Sequence, residues 1–247
     1  MRNIKLLIEY DGSRYAGWQK QKVKGKSDTI MERIENVLEK MEGEKIELIG
    51  ALRTEAGVHA YQQVANFKTN SKMKLYEMKH YLNRFLPMDI AVIEVEEVEE
   101  RFHSSFHAKS FQFEYKISME DVPSVFQRKY QYYSFKKLDG LKMRDAAKIL
   151  LGKHDFKAFA NNKRMKKSTE RWIRELDIYV GVDEMSITIQ ADDFWPFFAR
   201  TIVGVLLQVG RGELALEQVK DLVEGKPLDV ELEIAEAKGL FLQEVIY

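Results

Sequence analysis

Residues 110–117, SFQFEYKI, alternate polar and apolar side chains without a break from Ser110 to Ile117. Successive side chains of a strand point to opposite faces, so Phe111, Phe113, Tyr115 and Ile117 share one face while Gln112, Glu114 and Lys116 share the other. Such a segment needs a sheet whose apolar side is covered. Cover is available in segments with helical spacing. Thr29 and Glu32 fit a capping box, after which Ile30, Ile34, Val37, Leu38 and Met41 fall on one helical face. Leu75, Met78, Leu82 and Leu86 do the same before Pro87 ends the run.

Read in order, the chain predicts a strand over 3–10, a turn at Asp11-Gly12, the first helix, strands over 46–52 and 61–68, the second helix, and a strand over 90–98. The second half predicts the strand at 110–117, a helix over 139–151, strands over 171–180 and 185–191, helices over 194–209 and 215–224, and a final strand LFLQEVI. Strands interleave with helices but also form hairpin-like pairs. That favours α+β with a mainly antiparallel sheet over a doubly wound parallel fold. Two α/β units are expected, 1–104 and 105–247, with no proline- or glycine-rich linker between them, so their sheets should join rather than hinge.

The 247 residues include no cysteine, which excludes disulfides and Cys-ligated metal sites and fits a reducing compartment. No apolar run approaches the ~18 residues that span a bilayer, so a cytoplasmic, membrane-free protein is expected. Walker A, GxGxxG, HExxH and GxSxG patterns are absent. The five histidines are scattered, and the His103/His107 pair leads into a strand, so no metal site is expected. Lys+Arg and Asp+Glu balance at 39 each, yet the charges are segregated. Arg14, Lys20, Lys22, Lys24 and Lys26 have no acid among them, and Lys163, Arg164, Lys166, Lys167, Arg171 and Arg174 face only Glu170. Separated basic segments of this kind suit phosphate contact despite a neutral total.

One short connection, ALRTEAGVHA at 51–60, sets Arg53 two residues before Glu55. By itself that is an ordinary surface ion pair. Taken together, YDGSRYAGWQKQ, RTEAGVHAYQQVANF, RFHSSFHAKSFQFEYKI, LLGKHDFKAF, ARTIVGVLLQVGRGEL and AEAKGLFLQEVIY resemble, in content, order and spacing, the tRNA pseudouridine synthase A family. The resemblance runs from residue 4 to residue 247. It implies a pseudouridine synthase fold of two α/β lobes with a joined central sheet and a basic cleft. It also implies isomerisation of uridine to pseudouridine in the anticodon stem-loop of tRNA, by a homodimer that uses no cofactor or metal.

Roles carry over by position. The family's signature loop reads Gly-Arg-Thr-Asp-Ala-Gly-Val-His-Ala with a catalytic aspartate; here that position is Glu55, and the leading glycine is Leu52. Arg53 and His59 match as they stand, Arg53 as a catalytic residue beside the acid and His59 as a substrate-binding one. The family's base-packing tyrosine falls at Phe113, and the arginine paired with its acid at Arg200. Tyr15, Trp18 and Gln63 match positions near the RNA, and Leu240 matches one lining the pocket. Lys20, Lys22, Lys166 and Lys167 are the expected backbone contacts. The substitutions at 52 and 55 keep a second reading open: a catalytically impaired or inactive RNA-binding relative.

Overall fold

The computed structural model describes residues 1–19, 28–160, 168–226 and 229–247; Lys20, Lys22, Lys166 and Lys167 lie outside the described residues. The first half runs β1 (Arg2–Tyr10), α1 (Ile30–Glu42), β2 (Ile49–Gly50), β3 (His59–Thr69), α2 (Leu75–Phe85) and β4 (Ile90–Val98). Then come β5 (Ser110–Ser118), β6 (Tyr132–Tyr133), α3 (Gly140–Leu150), β7 (Gly152–Asp155), β8 (Glu170–Val180), β9 (Glu184–Ala191), α4 (Phe198–Gly210), α5 (Leu216–Val223) and β10 (Leu240–Ile246). Among the described residues no helix is long and apolar enough to cross a membrane.

The chain packs as two compact units, Met1–Lys109 with Phe241–Tyr247, and Ser110–Leu240. Where the sequence suggested 1–104 and 105–247, packing therefore places 105–109 and 241–247 with the first unit. The reason for the C-terminal return is β10, which pairs parallel with the start of β3 (Phe241 opposite His59, Leu242 opposite Ala60). The remaining ladders of this unit are antiparallel: β1 with β3, β1 with β4 and β2 with β3. Ile4, Leu6 and Ile8 form the inner row of β1 and are fully buried. Ile30, Ile34 and Leu38 of α1 and Met78 and Leu82 of α2 are fully buried as well. The Thr29 side chain accepts the Glu32 amide at the start of α1, and Gly43 closes that helix at φ 76° with its amide on the Glu39 carbonyl.

Strand β2 is far shorter than the 46–52 expected. Backbone groups beside it are met by side chains instead: the Leu48 amide donates to Glu35, and the Leu52 carbonyl accepts from Gln63 Nε2, while within the strand the Ile49 carbonyl accepts from Ser104 Oγ at 2.5 Å. A ladder is unnecessary where side chains already meet those groups.

In the second unit β5, β9, β8 and β7 are antiparallel neighbours, and β6 adds a parallel pair to β5. Phe111, Phe113, Tyr115 and Ile117 are all at most 4% exposed, as their alternation requires. Helix α3 packs on α4, α5 and β8, and Asp139 caps it by accepting the Lys142 amide. Helix α4 begins at Phe198 rather than 194 because Phe197 adopts φ 71°, a left-handed conformation that a helix cannot include.

Trp18 is 1% exposed and fits against Gly50. A Cβ at Gly50 would stand 2.2 Å from the indole Nε1 and 2.5 Å from Cε2. Gly50→Ala is expected to destabilise the protein by about 1–3 kcal/mol through overpacking, read as a lower urea midpoint at unchanged m. An unchanged midpoint would contradict this packing.

Candidate functional site

Glu55 opens a four-residue turn, Glu55-Ala56-Gly57-Val58, closed by the Val58 amide on the Glu55 carbonyl at 3.2 Å. Gly57 has φ 79° and Ala56 is not at positive φ, the pattern of a type II turn, which favours glycine at its third position. Thr54, Val58 and His59 are buried, Glu55 is half-buried, and Arg53 and Ala56 are exposed. The segment therefore presents a carboxylate at the rim of a buried scaffold. Leu52, at the family's glycine position, has no positive φ and is 8% exposed, so leucine is accommodated there without a left-handed backbone.

The turn is held by backbone approaches that side chains would prevent. A Cβ on Gly12 would lie 2.0 Å from the Val58 carbonyl oxygen, and one on Gly17 (φ 100°) would lie 2.7 Å from that of Thr54. The Trp18 amide donates to the Thr54 carbonyl at 3.0 Å. Tyr10 and Thr54 hydroxyls bond at 2.7 Å in the interior, where burial pushes the Tyr10 phenol well above its ordinary pKa and keeps it protonated. Gln63 Nε2 donates to the Leu52 carbonyl at 2.8 Å. Tyr15 donates to Asp89 at 2.6 Å, with Arg14 donating to both. Burial, and then the Asp89 carboxylate, push the Tyr15 pKa up to about 12.

These contacts change how three expected RNA neighbours are read. Tyr15, Trp18 and Gln63 are 3%, 1% and 0% exposed, and each side chain is engaged inside the protein. In this structure they support the turn from behind. His59 is buried too. Its Nδ1 lies 3.1 Å from the Gly12 amide nitrogen and 3.2 Å from the Asp11 carboxylate, so the ring is held on the 11–12 turn. The imidazole stacks on Phe241 at 4.6 Å, and Tyr61 stacks on Phe241 at 5.2 Å. Arg53 makes no ion pair among the described residues. The Arg53–Glu55 pair suggested by their spacing does not form, because Arg53 turns outward where Thr54 turns in.

In the second unit Phe113 packs edge-on against Phe194 at 4.9 Å. Leu240 is 2% exposed and follows a short 3-10 turn at Ala237–Gly239. Arg200 is tied to an extended strap: its Nε donates to the Ala235 carbonyl at 2.5 Å, and its own carbonyl accepts the Ala235 amide at 3.1 Å. Four residues on, a Cβ at Gly204 would stand 1.9 Å from the Glu233 carbonyl oxygen. Four further on, Gln208 bonds the Glu231 carbonyl and the Glu233 amide. Positions 200, 204 and 208 thus form one helical stripe that holds 231–235. The Nε bond fixes the plane of the guanidinium against the strap.

Sequence reasoning missed Thr54, Tyr10 and the strap. The signals present were weak: glycines at 12, 17, 50 and 204, and a glutamine recurring four residues after Gly204 in an otherwise apolar helix. Among the described residues no group of three His, Asp or Glu side chains could hold a metal ion.

Comparison with known proteins finds relatives along the whole chain. A family model described as tRNA pseudouridine synthase matches residues 6–107 and 146–247. A "tRNA pseudouridine synthase A 2" of Bacillus anthracis is 42% identical over 245 residues, 99% of each chain. A "tRNA pseudouridine synthase A" of Bacillus sp. strain KSM-64 is 43% identical, and a "tRNA pseudouridine synthase A 2" of Clostridium perfringens 40%, each over 247 residues and the whole of both chains. With the match spanning both halves of the sequence, the chain belongs to the tRNA pseudouridine synthase family.

Proposed function

We propose that the protein isomerises uridine to pseudouridine in tRNA, in the anticodon stem-loop, working as a homodimer in the cytoplasm. The observation that carries this reading is the turn at 55–58, which presents one carboxylate from an otherwise buried scaffold in a member of this family. The reaction breaks the C1′–N1 bond, turns the detached uracil over, and forms C1′–C5. N1 gains a proton and C5 loses one. Nothing is oxidised or hydrolysed, so the chemistry requires no cofactor.

The proposal gives Glu55 the role of the acid, as nucleophile at C1′ or as base at the sugar. Arg200 is the cation that keeps a carboxylate ionised and aimed. Phe113 supplies an aromatic face for the base and Leu240 an apolar wall. His59, Tyr15, Trp18 and Gln63 fix the geometry. Arg53, exposed and without an ion pair among the described residues, joins Lys20, Lys22, Lys166 and Lys167 as a phosphate contact. The target nucleotide has to leave its stack, as for other enzymes that act on a base.

Glutamate carries its carboxylate one methylene farther than aspartate. A misplacement of ~1 Å at a reacting centre costs ~10²-fold, so the scaffold must suit this reach. In single-turnover reactions with a transcribed tRNA, Glu55→Ala is expected to abolish pseudouridine formation and Glu55→Asp to slow it by about 10²-fold, with tRNA affinity unchanged. An inactive unsubstituted protein that gains turnover from Glu55→Asp combined with Leu52→Gly would establish the RNA-binding relative instead. Activity surviving Glu55→Ala would overturn both.

Replacing Lys166 and Lys167 together by alanine is expected to weaken tRNA binding and to lower the slope of log Kd against log salt by about 1–2, since each lost phosphate contact removes ~0.7–0.9. An unchanged slope would remove both lysines from the interface.

A further inference from the structure

Trp172 is the accessible one of three tryptophans, 37% exposed where Trp18 and Trp195 are 1% and 8%. It lies on β8 directly across from Lys153 of β7. The Lys153 ammonium stands 4.9 Å from the indole centroid, and the Arg174 guanidinium carbon 3.7 Å from it. A bulge produces the second contact. Ile173 pairs with Ala191 and Glu175 with Gln190, so Arg174 is an extra residue in the ladder, and its guanidinium folds onto the ring.

Among the described residues neither Lys153 nor Arg174 forms an ion pair; both rest on the aromatic face. The neighbouring acids are occupied otherwise. Asp155 accepts from the Lys157 amide and Thr169, Asp192 accepts the Trp172 and Asp193 amides, and Asp193 pairs with Arg171. Glu170, two residues before Trp172, sets one negative charge against the two cations. Ring attraction holds a cation in place while leaving its N–H groups unused. An arrangement of two such cations and an exposed indole suits a phosphodiester with an unstacked base beside it.

We propose that Lys153, Trp172 and Arg174 form an RNA-binding subsite that holds one backbone phosphate of the substrate and the unpaired base next to it. The site is separate from the pocket residue Phe113: β8 lies two strands from β5, about 10 Å across the sheet, and Trp172 is on the face opposite to Phe113. The proposal rests on tRNA being the substrate and deepens that reading by locating a contact outside the reacting centre. A loop or bulge nucleotide fits it better than a paired one, whose base is already stacked.

The test uses the intact protein and transcribed tRNA. Binding is expected to shield the acrylamide-accessible part of the tryptophan emission, which Trp172→Phe identifies by its disappearance. Trp172→Ala is expected to raise Kd and KM by about 3–10-fold while leaving kcat unchanged, because the residue does not touch the reacting uridine. Lys153→Ala and Arg174→Ala are each expected to lower the salt slope by about one or less. Emission that stays fully accessible in a protein that does bind and modify tRNA, together with unchanged Kd in Trp172→Ala, overturns the subsite and leaves the enzymatic reading standing. A protein that neither binds nor modifies tRNA overturns both.

Discussion

The close approach of two backbones organises the first unit around Glu55. Residues 11–18 lie so near the 54–58 turn that Gly12 and Gly17 have no room for a Cβ, at 2.0 and 2.7 Å from carbonyl oxygens of Val58 and Thr54. Trp18 then seals the contact by fitting against Gly50 and by donating its amide to Thr54. Buried polar groups complete it. Tyr10 with Thr54, Gln63 with Leu52, and His59 with Gly12 each satisfy a group that burial would otherwise penalise by about 1–3 kcal/mol. The consequence is a carboxylate on a turn with few ways to move, which is the condition a reacting centre sets.

The second unit uses the same device on a helix. Gly204 lets the 231–235 strap press against α4, and the strap's Ala235 holds Arg200 at both its backbone and its Nε. An arginine fixed at Nε keeps its planar fork in one orientation. Phe197, at φ 71°, sets where that helix begins and lies 5.5 Å from the Arg200 guanidinium carbon. Backbone strain of this kind persists where the surroundings over-determine it.

Much of this was legible in the sequence, and the remainder has identifiable reasons. Period-2 alternation located β5, and capping at Thr29 fixed where α1 starts, because those signals are local. The length of β2 was misjudged since Glu35 and Ser104, distant in sequence, take bonds a ladder would have made. The two-residue β6 and the polar β7 carry too few apolar positions for any period to show. Arg53 and Glu55 looked like a pair on spacing, yet the turn sends Arg53 outward. Tyr15, Trp18 and Gln63 were expected near the RNA, and the sequence did not show that their side chains are engaged inside the protein. Their burial depends on glycines at 12, 17 and 50 that sequence shows only as glycines.

The account makes the placement of Glu55 depend on groups that never meet RNA, and Tyr10 isolates that claim because it is 3% exposed and touches the turn through its hydroxyl. The direct measurement is the single-turnover rate of pseudouridine formation by Tyr10→Phe, alongside its tRNA affinity and thermal unfolding. Loss of the Tyr10–Thr54 bond should slow the reaction by about tenfold or more, a fraction of the ~10² attached to a 1 Å displacement, while Kd stays unchanged and the protein remains folded at the assay temperature. A folded Tyr10→Phe protein that reacts at the full rate would contradict the claim that this buried scaffold positions the acid.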